Sequence, residues 1–227
     1  MNINQIDLST LIGRPNGMTY DLYLTNDEIE FGDTGYNNFI TLCSQLTEQD
    51  IVNLHISTAG GAVSTGALIA NAIENSRATF IAHLNSYVWS MGVTIALACD
   101  AFVIGDLVEF GIHSVQGGTG YGNVDNIEAR SKAVVELNKR LMEKYYSLIL
   151  NSDEVDLVNR GAEITWFKEE LMQRLQKFAE NKQQKLLDSL EQEPDLSQFS
   201  VEELEEELVA IADDVKKIKS EIKKRKV

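Results

Sequence analysis

Ile51-Val52-Asn53-Leu54-His55-Ile56-Ser57-Thr58-Ala59-Gly60-Gly61-Ala62-Val63 is an alternating apolar run that meets a glycine pair and opens into Ala67, Leu68, Ala70 and Ile73. Alternation with period two predicts a strand over residues 51–56, and the spacing of three to four beyond it predicts a helix over about 63–75. Glycines between them suit a tight strand-to-helix turn. The same order repeats on either side. A strand at 20–24 precedes a helix at 36–46, whose Tyr36, Phe39, Ile40, Cys43 and Leu46 share one face. A strand at 79–82 leads toward Ser90, a helix over 92–99 follows, and Ala101–Ile104 reads as the next strand. Strands alternating with helices at this spacing imply right-handed crossovers, hence an α/β layered domain.

Beyond this core, residues 116–123 are glycine-rich, and a long helix is predicted over about 124–150 with Ile127, Val134, Leu137, Leu141, Tyr145 and Leu148 in a stripe. A further helix is predicted over 166–181. Ser200 and Glu203 have capping-box spacing. After them Val201, Leu204, Leu208, Ile211, Val215, Ile218 and Ile222 step by threes and fours, a heptad seam for an appended helix. The acidic stretch 191–198, with Pro194, reads as a hinge. The expected organisation is an N-terminal segment 1–19, a core domain 20–180, and a linker with a helical tail over 181–227.

Composition narrows the function. A net charge of -15 argues against a nucleic-acid backbone or an anionic membrane surface as partner, because both select clustered Lys and Arg. Cys43 and Cys99 each sit in apolar surroundings without a neighbouring Cys or His at ligand spacing, so they read as buried free thiols rather than a disulfide or metal site. No basic, then apolar, leader is evident at the N-terminus, and no segment has the length of a membrane span, so a cytosolic setting is expected.

Three segments carry the chemistry: Thr58-Ala59-Gly60-Gly61, Trp89-Ser90-Met91-Gly92 and Gly111-Ile112-His113. A serine hydroxyl becomes a nucleophile only when a base takes its proton. Of the three histidines, His55 and His83 lie inside strand-like runs, whereas His113 ends one and precedes the glycine-rich stretch, which favours it as the base. Ser90 opens a helix, whose first N–H groups lack internal partners, so the Met91 N–H can face a developing negative charge. The Gly61 N–H can supply a second donor.

Together the three segments resemble the proteolytic subunit of the Clp protease, ClpP, over about residues 20–175. Residues 51–63 are similar to that family's strand, serine-proline-glycine-glycine turn and helix. Val88-Trp89-Ser90-Met91-Gly92 is similar to its alanine-alanine-serine-methionine-glycine segment, and Gly111-Ile112-His113-Ser114 to its methionine-isoleucine-histidine-glutamine segment. The resemblance implies the ClpP/crotonase-like layered fold of repeated β-β-α and βαβ units, here with an appended C-terminal helix. It implies Ser90 as nucleophile, His113 as general base, Gly61 and Met91 as the oxyanion hole, and Gly117 and Gly118 in a glycine-rich loop beside the substrate. It further implies a serine endopeptidase that needs no cofactor and no metal. Such an enzyme acts on peptides or unfolded proteins inside a homo-oligomeric chamber, with a Clp-type ATPase unfoldase as possible partner or in viral capsid maturation. The third triad member falls on Glu163 if Glu169 and Glu170 anchor the comparison, and on Ile164 if Trp166 does; Asp156 is a further candidate. Ala59 replaces the family's proline and Val88-Trp89 its two alanines, so Trp89 is expected to reshape or narrow the cleft. Two other readings are a catalytically inactive ClpP-like subunit recruiting a partner through its C-terminal helix, and an acyl-CoA hydratase or isomerase of the crotonase type.

Overall fold

The computed structural model describes residues 17–25, 27–30, 34–117, 122–191 and Ser200. The chain divides into two units, residues 1–182 and 183–227, and the sheet and every candidate residue described here lie in the first. The N-terminal segment up to residue 16 and the heptad seam after Ser200 lie outside the described residues, as does Gly118.

Strand β1 (Thr19–Leu24) is followed by helix α1 (Asn37–Gln45), β2 (Ile51–Thr58), α2 (Val63–Glu74), β3 (Thr79–Trp89), α3 (Met91–Ala98), β4 (Ala101–Ile104) and β5 (Glu109–Ile112). Helices α4 (Val124–Lys144) and α5 (Ser152–Asn159), strand β6 (Ile164–Trp166) and α6 (Lys168–Glu191) complete the chain order. The sheet runs β1-β2-β3-β5-β6, with β4 also paired to β3. Every pairing is parallel except β5–β6. This is the mixed α/β architecture the sequence implied.

Alternation fixes which face is inside. In β2, Val52, Leu54, Ile56 and Thr58 are buried while Asn53, His55 and Ser57 point the other way. Leu22 and Leu24 of β1 and Phe80, Ala82 and Leu84 of β3 join the same buried face, with Phe39, Ile69 and Ile73 of α1 and α2 in the same core. All eight residues of α3 are buried, which explains its lack of any polar face.

The elements depart from expectation in five places. β3 continues to Trp89, delivering the chain straight into Ser90. The helix expected over 124–150 stops at Lys144 and gives way to a single 3-10 turn at Tyr146–Leu148, because Tyr145 leaves the helical region at φ -124 and ψ -54. Burying Tyr145, Tyr146, Ile149 and Leu150 together requires that break, whereas Val124 and Val135 on α4 stay exposed. The helix expected to end at residue 181 runs to Glu191, so the acidic stretch begins inside α6. Helix α5 has an Asn151–Glu154 capping box that the apolar periodicity did not signal, and β6 is only three residues long.

Candidate active site

Ser90 sits at the junction of β3 and α3 with φ 53 and ψ -120, and among the described residues it alone, apart from glycines, has a positive φ. An L-residue resists that conformation, so the surroundings must enforce it. They do so through the backbone. The Ser90 N–H donates to the Gly111 carbonyl at 2.9 Å, and the Ser90 carbonyl accepts from the Val93 N–H at 3.0 Å, the first bond of the helix. The buried Tyr146 hydroxyl approaches the Ser90 carbonyl at 3.5 Å and pairs with Thr94 Oγ1 at 2.8 Å. Burial pushes the Tyr146 phenol up to about 12, so it stays neutral under ordinary conditions.

The glycine pair is pressed against this turn. Gly60 and Gly61 have φ 99 and 127. A Cβ at Gly60 would lie 2.6 Å from the Ser90 Cβ and 2.9 Å from the Met91 nitrogen, and one at Gly61 would strike the Ile29 backbone. Glycine here serves close approach as well as a tight turn. The Ile29 N–H donates to the Gly60 carbonyl at 2.6 Å and the Ala62 N–H to the Ile29 carbonyl at 2.7 Å; these bonds leave out the Gly61 N–H. As the first residue of α3, Met91 has an N–H with no partner inside the helix.

One cavity of about 720 Å³ is lined by Ser90, Met91, Gly61, His113, Tyr146 and Gln116 among others. Ser90, His113 and both candidate oxyanion donors therefore face the same space. His113 follows the last residue of β5 and is half-buried. Its Nδ1 lies 2.7 Å from the Ser114 carbonyl. A carbonyl can only accept, so Nδ1 carries the proton and Nε2 is left with the lone pair that a general base uses. Among the described residues the Ser90 hydroxyl makes no hydrogen bond to His113; such bonds commonly tighten only when substrate arrives.

Two expected site residues, Gly117 and Glu163, stand apart from this group. Gly117 is exposed and does not line the cavity, and among the described residues a Cβ there would meet only Val134, at 3.8 Å. Gly118 is outside the described residues. Glu163 is exposed and does not line the cavity either. The β5–β6 register nevertheless bears on it. Its pairs are Phe110↔Trp166, Gly111↔Thr165 and Ile112↔Ile164, and the ladder ends there; the same register carried one step further would bring Glu163 opposite His113. Asp156 is exposed on α5. Trp89 is also absent from the lining, so it does not narrow the cleft as expected. Its indole lies over Gly111 instead.

Sequence reasoning missed Glu28, Ile29 and Glu30, which line the cavity because Ile29 forms an isolated parallel bridge with Gly61. Tyr146 and Leu141 were missed as well, arriving from α4 and the turn after it. An isolated bridge has no sequence signature, although an apolar residue between two glutamates is the alternation of an extended segment. Burial raises the Cys43 thiol to about 12 and raises Cys99 as well, so neither competes as a nucleophile. Among the described residues no group of three or more His, Cys, Asp or Glu could hold a metal ion, and no helix is long and apolar enough to cross a membrane.

The family model for Clp protease matches residues 30–155, more than half of the chain. The chain belongs to the Clp protease family. The match takes in Gly61, Ser90, Met91 and His113 and ends before Glu163. Comparison with curated proteins gives no match. Membership makes this a ClpP-like peptidase at the level of the family.

Proposed function

We propose that the chain is a serine endopeptidase working through an acyl-enzyme on Ser90. The observation that carries this reading is the turn at Ser90, held at positive φ beside Gly60 and opening on the cavity that His113 shares. Ser90 Oγ attacks the peptide carbonyl carbon while His113 Nε2 takes its proton, and the carbonyl electron pair moves onto oxygen. The N–H groups of Gly61 and Met91 receive that oxyanion, aided by the positive end of α3. Collapse breaks the C–N bond, and His113 returns the proton to the departing amine. Water then repeats the sequence on the ester, freeing the acid and Ser90.

The Ser114 carbonyl holds the His113 tautomer this cycle needs. Glu163 is the carboxylate we assign to stabilise the imidazolium, on the strength of the β5–β6 register carried one step further to His113. Gly117 and Gly118 are assigned to the loop alongside the substrate strand. The substrates are peptides or unfolded proteins, reached inside a homo-oligomeric chamber in a cytosol, with a Clp-type ATPase as the unfolding partner. Exposed Val124 and Val135 on α4 suit a face covered by another copy of the chain.

Labelling with a fluorophosphonate tests this on wild type, Ser90→Ala, His113→Ala and Glu163→Gln. Labelling that requires Ser90 and His113 and slows in Glu163→Gln is expected. An assembled wild type that does not label would overturn the peptidase and leave a non-catalytic subunit. Full labelling of Glu163→Gln would remove Glu163 from the mechanism and leave the Ser114 carbonyl as the sole orienting group.

A further inference from the structure

We propose that Trp89 is a positioning residue for the reaction: its indole, seated on Gly111, clamps β5 against β3 and thereby sets the spacing between Ser90 and His113. The inference rests on the peptidase reading above. Strand β3 changes partners along its length. Ile81–Leu84 pair with β4, and only Tyr87↔Glu109, Val88↔Phe110 and Trp89↔Gly111 join it to β5. A ladder of three pairs is short, and Trp89↔Gly111 is its last rung. The residue after Trp89 is the nucleophile, and the residue two beyond Gly111 is the base.

Contact at that rung is tight. A Cβ placed on Gly111 would fall within 2.6 Å of indole atoms of Trp89, so the ring lies directly on the glycine backbone. An aromatic ring covering a cross-strand glycine shields backbone that would otherwise be open, and cross-strand side-chain pairs are the unit that stabilises a sheet. The Ser90 N–H to Gly111 carbonyl bond, 2.9 Å, closes the same corner. Gly111 also pairs with Thr165 on its other edge, so the clamp holds the strand that β6 leans on. Because Trp89 does not line the cavity, it acts through the strand of His113 and not on substrate. Displacing a catalytic group by about 1 Å is enough to slow a reaction roughly 100-fold.

The test compares Trp89→Ala, Trp89→Phe, Gly111→Ala and the double variant Trp89→Ala/Gly111→Ala. Readouts are the fluorophosphonate labelling rate against pH, kcat and KM on a peptide, and the His113 imidazole titration by NMR. Trp89→Ala is expected to slow labelling on the order of 10- to 100-fold with KM unchanged and to shift the His113 titration, a shift that loss of packing elsewhere would not produce. Trp89→Phe should retain most activity. Gly111→Ala should be impaired, and more so with Trp89 present than in the double variant, since the indole is what the new methyl meets. Equal labelling and an unmoved His113 titration in folded Trp89→Ala would overturn the proposal, as would a neutral Gly111→Ala. If wild type itself fails to label, the peptidase reading falls. The His113 titration and the coupling between positions 89 and 111 in melting experiments then decide the clamp by themselves.

Discussion

Replacing Ser90 with glycine should make the protein more stable while abolishing its chemistry. Ser90 is held at φ 53 and ψ -120, where a residue bearing a Cβ pays on the order of 1–3 kcal/mol. Glycine enters that region freely but gives up roughly 0.5–1 kcal/mol more backbone entropy on folding. The Cβ removed is a single atom pressed against Gly60, where a side chain would meet it at 2.6 Å. The balance favours Ser90→Gly by about 1 kcal/mol, a rise in Tm of roughly 2–4 °C for a chain of this size. Ser90→Ala is the right reference, since both variants lack the hydroxyl and only one keeps the Cβ. Melting must be compared at one subunit concentration, because association makes Tm depend on concentration. Both variants should fail to label with a fluorophosphonate. A Ser90→Gly protein no more stable than Ser90→Ala would refute the claim that the turn is strained and held by its surroundings.

Gly61→Ala should cost about 1–3 kcal/mol, because φ 127 is closed to alanine and its Cβ would strike the Ile29 backbone; denaturant melts would show it. Thr94→Val strips the buried Tyr146 hydroxyl of its 2.8 Å partner and should cost about 1–3 kcal/mol, whereas Thr94→Val with Tyr146→Phe should come close to neutral. A thermodynamic cycle over the four proteins checks this, and simple additivity would contradict it. On the outer face of the sheet, burial first and then the charge of the stacked His55, 4.5 Å away, push the His83 imidazole below its usual range. A depressed imidazole favours the neutral form in the fold, so stability is complete above about pH 6.5 and declines as pH falls through the folded value. Asp21 is held low by its hydrogen bond from Asn53 and then by His55, so its contribution is lost only in stronger acid, below about pH 4. Thermal melts of wild type and His83→Gln between pH 7.5 and 5.5 should converge as the pH drops; parallel curves would exclude His83 as the source.

The parts of the fold that could be read in advance are those where local pattern and tertiary environment agree. Residues 51–58 alternate because one face of β2 meets the helices and the other does not, and that same alternation predicts the strand. Ser90 and His113 were legible because each ends a strand, and strand ends beside glycines are where a side chain can face a cleft. Other features depend on a partner distant in sequence. Ile29 enters the site only through Gly61, and β6 is three residues that make sense only beside β5. The end of α4 was misplaced because Tyr145, Tyr146 and Ile149 keep the helical spacing of apolar residues while the backbone turns to bury them. Glu163 could be approached from sequence by two alignments that disagree. The β5–β6 ladder pairs Ile164 with Ile112 and ends there, one residue short of His113 and Glu163, so the assignment of Glu163 remains a proposal for the labelling experiment to decide.

The two halves of the candidate site are built with different redundancy. On the Ser90 side, the Gly60 contact, the bond to Gly111, the wholly buried α3 and the Thr94–Tyr146 pair all bear on the same turn. On the base side, His113 lies just past three rungs to β3 and three to β6, and its ring is oriented by one bond to the next residue's carbonyl. Substitutions at Gly60, Thr94 and Tyr146 disturb this packing and should register first as lost stability. Phe110, Ile112 and Trp166 of β5 and β6 belong to the buried core, but Trp89, Ser114 and Glu163 do not, so substitutions at those three can leave that packing in place and should register first in kcat. Under the mechanism we propose, changes in rate should accordingly concentrate at Trp89, Gly111, Ser114 and Glu163, the residues we assign to positioning the imidazole.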